Sequence, residues 1–212
     1  AIPIEGTITV NPTPKVIYDV SSGSINQTIC EADPIDAIEF TLEGTQTANV
    51  TGLPGGVTHS ISSTGVLTIT GTPNGVAADD VFTYTIEPVN NITNCVGVPV
   101  SGTISVNALH ELTSTSGNTD QTLCEGEAIE PINLTLAGGA TDVSITDAAG
   151  DNIPWMNVVV SGTSITITGT PSENIDTTKE YDYTITTTGN SCNPAIPIEG
   201  TITVNPTPKV IY

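Results

Sequence analysis

Val66-Leu67-Thr68-Ile69-Thr70-Gly71-Thr72-Pro73 alternates aliphatic and hydroxyl side chains and then stops on glycine and proline. A period of two puts Leu67 and Ile69 on one face and the threonines on the other, the pattern of a half-buried strand. Proline has no amide hydrogen to give a central ladder, so Thr72-Pro73 closes the strand. The same string returns as Ile165-Thr166-Ile167-Thr168-Gly169-Thr170-Pro171. Other features recur around it in the same order. Phe40-Thr41-Leu42 answers to Leu134-Thr135-Leu136, and Phe82-Thr83-Tyr84-Thr85-Ile86 to Tyr181-Asp182-Tyr183-Thr184-Ile185. Gln27-Thr28-Ile29-Cys30-Glu31 answers to Gln121-Thr122-Leu123-Cys124-Glu125, and a Gly-Thr-Ile-Ser/Thr-Val-Asn string closes each unit at Asn107 and at Asn205.

Short β-branched runs broken by Gly, Pro, Asn and Asp predict an all-β chain. The expected architecture is a series of tandem Ig-like antiparallel β-sandwich modules in an elongated, beads-on-a-string array. No segment carries helical periodicity over three turns. The core strands include Phe82, Tyr84 and Ile86, with Tyr181, Tyr183 and Ile185 as their counterparts.

Residues 1–18 and 195–212 are identical, which gives a period of 194 residues, close to two modules. The expected boundaries follow. Residues 1–11 are the last strand of a preceding module, 12–107 the first complete module, 108–205 the second, and 206–212 the start of a following one. The joints at 11–15 and 205–209 read Asn-Pro-Thr-Pro-Lys, which favours extended backbone. The joint Asn107-Ala108-Leu109-His110-Glu111 lacks both prolines.

The charge is −20, from 23 acidic residues against Lys15, Lys179 and Lys209, with no arginine. Such a surface repels phosphate backbones and anionic head groups, which excludes nucleic acid as a partner. No apolar run is long enough for a membrane-spanning helix, so direct membrane insertion is not expected. No signal peptide is visible, and a chain beginning inside a module says nothing about export of its parent.

Each module carries one pair of cysteines at equivalent positions. The expectation is that each pair closes within its own domain, Cys30–Cys95 and Cys124–Cys192, in an oxidising compartment. Closing such loops contributes roughly 4 kcal/mol per module in the chain-entropy model. The alternative is two pairs of reduced thiols. Zinc is disfavoured by the lack of any Cys-x-x-Cys or neighbouring histidine.

Chemistry-bearing residues are sparse. His59 and His110 fall in different modules at unmatched places with no nucleophile pattern beside them, so an enzyme is not expected. No cofactor is expected either. Calcium is the one ion the loops offer oxygen to, through Asp79-Asp80 and the group Asp142, Asp147 and Asp151, with Asp147 and Asp151 as the candidate ligands. The spacing matches no EF-hand. Trp155 and Met156, the sole Trp and Met, sit in Ile153-Pro154-Trp155-Met156-Asn157-Val158, which replaces Leu53-Pro54-Gly55-Gly56-Val57 after an insertion around 147–151. They are either a local core plug or the place for a ligand.

Gly52-Leu53-Pro54-Gly55-Gly56-Val57, Gly65-Val66-Leu67-Thr68-Ile69-Thr70-Gly71-Thr72-Pro73 and the Tyr-Thr-Ile strand together resemble the Ig-like and PKD-like repeats of bacterial surface proteins. With Gln27-Thr28-Ile29-Cys30-Glu31 and the closing Gly-Thr-Ile-Thr-Val-Asn-Pro they look like the giant repetitive adhesins of gliding Bacteroidetes. The resemblance implies export by type IX secretion, anchorage at the outer membrane, and a filament driven along the cell by a motility motor. Its implied partners are neighbouring repeats of the same chain, extracellular surfaces or polysaccharide, and the outer-membrane secretion and motility machinery. Asp176-Thr177-Thr178 resembles the O-glycan acceptor sequence of that phylum, with Thr177 as the acceptor. The expected function is a structural stalk segment mediating attachment and gliding. The alternatives are a carbohydrate-binding module and the accessory domain of a secreted polysaccharide-degrading enzyme.

Overall fold

The computed structural model describes Pro3 and residues 5–208. All regular elements among the described residues are strands, and the contacts separate two units: Ala1–Val76 with Asp80–Val106, and Asn107–Tyr212 with Ala77–Asp79.

The first unit carries β1 (Lys15–Tyr18), β2 (Asn26–Cys30), β3 (Ile38–Glu43), β4 (Ala48–Thr51), β5 (Val57–Ile61), β6 (Val66–Gly71), β7 (Asp80–Asn90), β8 (Cys95–Val96) and β9 (Val100–Asn107). One sheet has the order β1-β3-β6-β5 and the other β2-β9-β7-β4, with β8 paired to the end of β7. The second unit repeats this plan with β10 (His110–Ser116), β11 (Gln121–Cys124), β12 (Ile132–Gly138), β13 (Ala140–Thr146), β14 (Met156–Ser161), β15 (Ser164–Gly169), β16 (Lys179–Gly189) and β17 (Ile198–Asn205). Its sheets run β10-β12-β15-β14 and β11-β17-β16-β13. This is the Ig-like sandwich, occurring twice in tandem.

The alternation read from the sequence holds. Leu67 and Ile69 on β6, and Ile165 and Ile167 on β15, are fully buried between their sheets, and Tyr84 and Tyr183 lie at the same depth on the opposite sheets. Each unit has its own apolar core. One pairing departs from the expected antiparallel plan: β11 runs parallel to β17, from Gln121 opposite Ile202 to Cys124 opposite Asn205. The chain begins the second unit in one sheet as β10 and crosses to the other as β11, so one split strand supplies an edge strand to each sheet.

The Gln-Thr-aliphatic-Cys motif owes its glutamine to the loop that follows. Gln27 Nε2 donates to the Ser24 and Asp36 carbonyls while its Oε1 accepts from Asp36 N. Gln121 does the same with Asn118 and Glu130. Each amide thus satisfies backbone groups that the split strand leaves without ladder partners.

Residues 5–11 form no strand, although Glu5–Asn11 has the same sequence as Glu199–Asn205 in β17. Ile8 and Val10 are 92% and 87% exposed, whereas Ile202 and Val204 are 0% and 1% exposed. In β17 the string lies between β16 and β11, whose backbones complete its ladder and whose sheets cover its apolar face. Of the segment expected to open a following module, residues 209–212 lie outside the described residues.

Candidate functional sites

The cysteines overturn both expected pairings: Cys95 and Cys124 are free, while Cys30 and Cys192 are each disulfide-bonded. Strand direction gives the reason. Because β11 runs parallel to β17, Cys124 finishes at the C-terminal pole of its module, beside Asn205. Cys192 follows the far end of β16, where its amide donates to Asn190 Oδ1 and its Sγ lies 3.6 Å from the Asn107 carbonyl. In the first unit Cys95 sits opposite Asn90 at one end of β7. Cys30 ends β2 near Pro73, whose carbonyl takes the Ala32 amide just before the other end of β7. Ten residue steps of strand at about 3.3 Å each hold the members of each expected pair about 30 Å apart, whereas a disulfide needs Cα atoms within about 7 Å.

The N-terminal pole of the second unit carries a polar cluster that sequence reading missed. His110 is buried, with Nδ1 3.1 Å from Thr187 Oγ1 and Nε2 3.1 Å from Asn190 Oδ1. Asn190 Nδ2 donates to Asp79 Oδ1 and to the Ala108 carbonyl, so its Oδ1 is an acceptor and His110 Nε2 carries the proton. Thr187 Oγ1 accepts from Ala195 N and therefore has its hydroxyl hydrogen to give His110 Nδ1. Both ring nitrogens are thus engaged within the cluster. His59 lies exposed on β5.

Trp155 is a core residue, 9% exposed, packed edge-on against Tyr181 with ring centroids 5.4 Å apart. Its equivalent in the first unit is Gly56: the amides of Val57 and Met156 close matching turns onto Pro54 and Ile153. Gly56 has φ +81° and a Cβ there would fall 2.1 Å from the Thr72 carbonyl oxygen, so that corner requires glycine. The second unit makes the turn without positive φ and drops the indole into the core. Met156, half-buried at the start of β14, packs against the same cluster.

Beside Trp155 opens a cleft of about 450 Å³ whose polar wall is Glu173, Lys179 and Tyr181. The Lys179 ammonium pairs with Glu173 and stands 4.6 Å from the Tyr181 ring centroid, while the Tyr181 hydroxyl donates to the same carboxylate at 3.0 Å. The Lys179 contact, then the Tyr181 hydroxyl, hold the Glu173 carboxyl below its ordinary pKa, and Glu173 raises that of Lys179. Trp155 and Tyr181 both line this cleft.

Asp147 Oδ1 accepts from the amides of Ala149 and Asp151, and Asp151 returns its carbonyl to Asp147 N. This carboxylate closes a turn in the inserted loop. Asp80 and Asp142 each accept from the next amide, and Asp79 belongs to the Asn190 cluster. Among the described residues no group of three His, Cys, Asp or Glu side chains is arranged to hold a metal ion. Thr177 is exposed in the loop between β15 and β16, accessible for modification.

No protein-family model and no curated protein matches the chain. Among solved structures, an I-band fragment of titin matches with TM-score 0.52 at 10% identity, covering 92% of this chain and 66% of that one. A glutamate-to-alanine variant of that titin fragment matches with TM-score 0.52 at 11% identity and the same coverage. The likeness is one of fold. It places this chain among consecutive Ig-like domains, of which it spans 66% of the titin fragment's length.

Proposed function

We propose that this chain is a structural repeat segment of a long cell-surface adhesin filament, a stalk that serves attachment and gliding. The observation that carries the reading is a pair of sandwiches with one strand plan, preceded by a string that repeats β17 residue for residue and has no partner strand. Repetition of that string within the chain is what supports reading the pair as a unit of a tandem array. His110, Asp79 and Asp147 are engaged in holding turns and poles together. A disulfide belongs in an oxidising compartment and supports an extracellular location. The resemblance to Bacteroidetes adhesins adds the outer-membrane attachment, the type IX export route, and the grip on extracellular surfaces or polysaccharide.

Antibodies against this chain, applied to unpermeabilised cells, test the reading together with sequencing of the captured polypeptide. The expected result is surface labelling and consecutive copies of the 194-residue period. A single copy beside a catalytic segment would overturn it and favour the accessory-domain alternative.

A further inference from the structure

We propose that β14 is a pairing edge for a second copy of this chain, the two β14 strands joining antiparallel about a two-fold axis so that the β10-β12-β15-β14 sheets of two molecules become continuous. The surface lies wholly within the second unit and is independent of the array reading.

β14 ends its sheet, so one side of its backbone has no ladder partner. An open edge is a template for another chain, and folded proteins guard it with a charge, a bulge or shortness. The other edges here are guarded. β10 carries Glu111 and a register shift between Ser114 and Ser116, and β13 carries Asp142 and a shift between Ala140 and Asp142. β1, β2, β4 and β11 are only four or five residues long. β5, the counterpart of β14, has Thr58-His59-Ser60 where β14 has Asn157-Val158-Val159. The middle of β14, Val158-Val159-Val160, has no charge, no proline and no register shift against β15.

Val159 is 58% exposed on the outer face and Val160 40% exposed on the inner one. Met156 and Val158 share the inner face and pack on the core. They also form one wall of a groove of about 420 Å³ between β14 and β13, with Val143 and Ile145 in the other wall.

A second copy meets these features with the same strand. Setting Val159 opposite Val159 in an antiparallel pair puts Val158 opposite Val160 and Asn157 opposite Ser161. Opposite residues share a face of the sheet, so valine meets valine on both faces and the two polar side chains meet on the outer one. Val160 of the second copy then lies beside Val158 at the groove. Charge sets where two copies can meet. At net charge −20 most of the surface repels its own kind, whereas residues 152–172 contain no ionisable side chain. Pairing of two six-residue strands buries less than the roughly 1,200 Å² of a standard interface, so the dimer is weak and reversible.

Sedimentation equilibrium of the 212-residue chain, from micromolar to millimolar concentration, tests this. A concentration-dependent dimer that strengthens with added salt is expected, because salt screens the like charges. Val159→Glu and Val159→Lys change an exposed side chain, and thermal melting checks that each variant is folded. Each sets two like charges opposite one another and is expected to weaken association about fivefold, while an equimolar mixture of the two restores it. Register is read by oxidation in a Cys95→Ser, Cys124→Ser background, which removes the free thiols. Val159→Cys is expected to trap a disulfide-linked dimer, since Cα atoms about 4.5–5.5 Å apart across the pair suit that bond. Val160→Cys, which faces Val158 and not its own copy, is expected to stay unlinked. A chain monomeric at millimolar concentration, a dimer indifferent to Val159→Glu, a mixture that fails to associate, or linkage through Val160→Cys in place of Val159→Cys would each overturn the proposal.

Discussion

Tyr183 and Gly200 stand opposite one another across β16 and β17, and the phenol occupies the space a side chain at 200 would take. The hydroxyl donates to the Thr119 carbonyl at 2.7 Å. Tyr84 and Gly102 repeat the pair, with the hydroxyl donating to Ile25 at 2.9 Å. The glycine of each closing Gly-Thr-Ile string is thus a matter of room for the ring.

Gly200→Ala places a Cβ 2.5 Å from both the Tyr183 hydroxyl and the Thr119 carbonyl oxygen. Overpacking of this kind costs about 1–3 kcal/mol. Urea denaturation is expected to show the second unit losing that amount, and Gly102→Ala the same for the first. Unchanged midpoints would contradict the packing role.

Tyr84 and Tyr183 are both pushed up to about 12, first by burial of the phenol. Their folded values lie above the ordinary value near 10, so the unfolded chain loses its protons first as pH rises. Stability is full below pH 10 and falls as the pH climbs towards 12. Thermal melts across this window are expected to show a decline that Tyr183→Phe reduces for the second unit.

Trp155→Ala removes a core side chain and is expected to destabilise the second unit by about 3–5 kcal/mol. Tyr181→Ala instead removes one of the two aromatics that line the cleft, at smaller cost. On a glycan array the stalk reading expects no retention of the intact chain. Retention lost in Tyr181→Ala with the fold preserved would establish the carbohydrate-binding alternative.

Asn190→Ala leaves the His110 Nε2 proton, the Cys192 amide and Asp79 without their shared partner. Orphaned buried polar groups cost about 1–3 kcal/mol each. Hydrogen exchange is expected to rise at Cys192 and around His110 before anywhere else in the unit. Uniform exchange would show that the cluster holds nothing locally.

Glu173→Gln breaks the sole ion pair among the described residues, between side chains about half exposed. Exposed pairs contribute little, so the melting temperature is expected to stay nearly constant, while the Lys179 titration seen by NMR moves down. A large loss of stability would assign the cleft a structural role.

The cysteine pairing shows where sequence reading stops. Equivalent spacing marked Cys30 with Cys124 and Cys95 with Cys192, and the assumption of closure within each domain then paired them wrongly. Partner choice depends on which pole each strand ends at. That follows from β11 running parallel to β17, a pairing between segments about 80 residues apart that no local pattern records. The Asn190 cluster was illegible for a similar reason: Asp79, His110, Thr187 and Asn190 come together only when three distant segments meet.

Alternation of Leu67 and Ile69, the proline stops and the internal repetition determined by themselves the all-β class, the module count and the core faces, because strand period and turn chemistry are local properties of the backbone. The closing string marks the limit of such reasoning. Glu199–Asn205 is a buried central strand and Glu5–Asn11, with the same residues, is not a strand at all. A strand's hydrogen bonds and half of its apolar contacts belong to its neighbours, so it is β16 and β11, brought alongside by the tertiary structure, that make Glu199–Asn205 a buried strand.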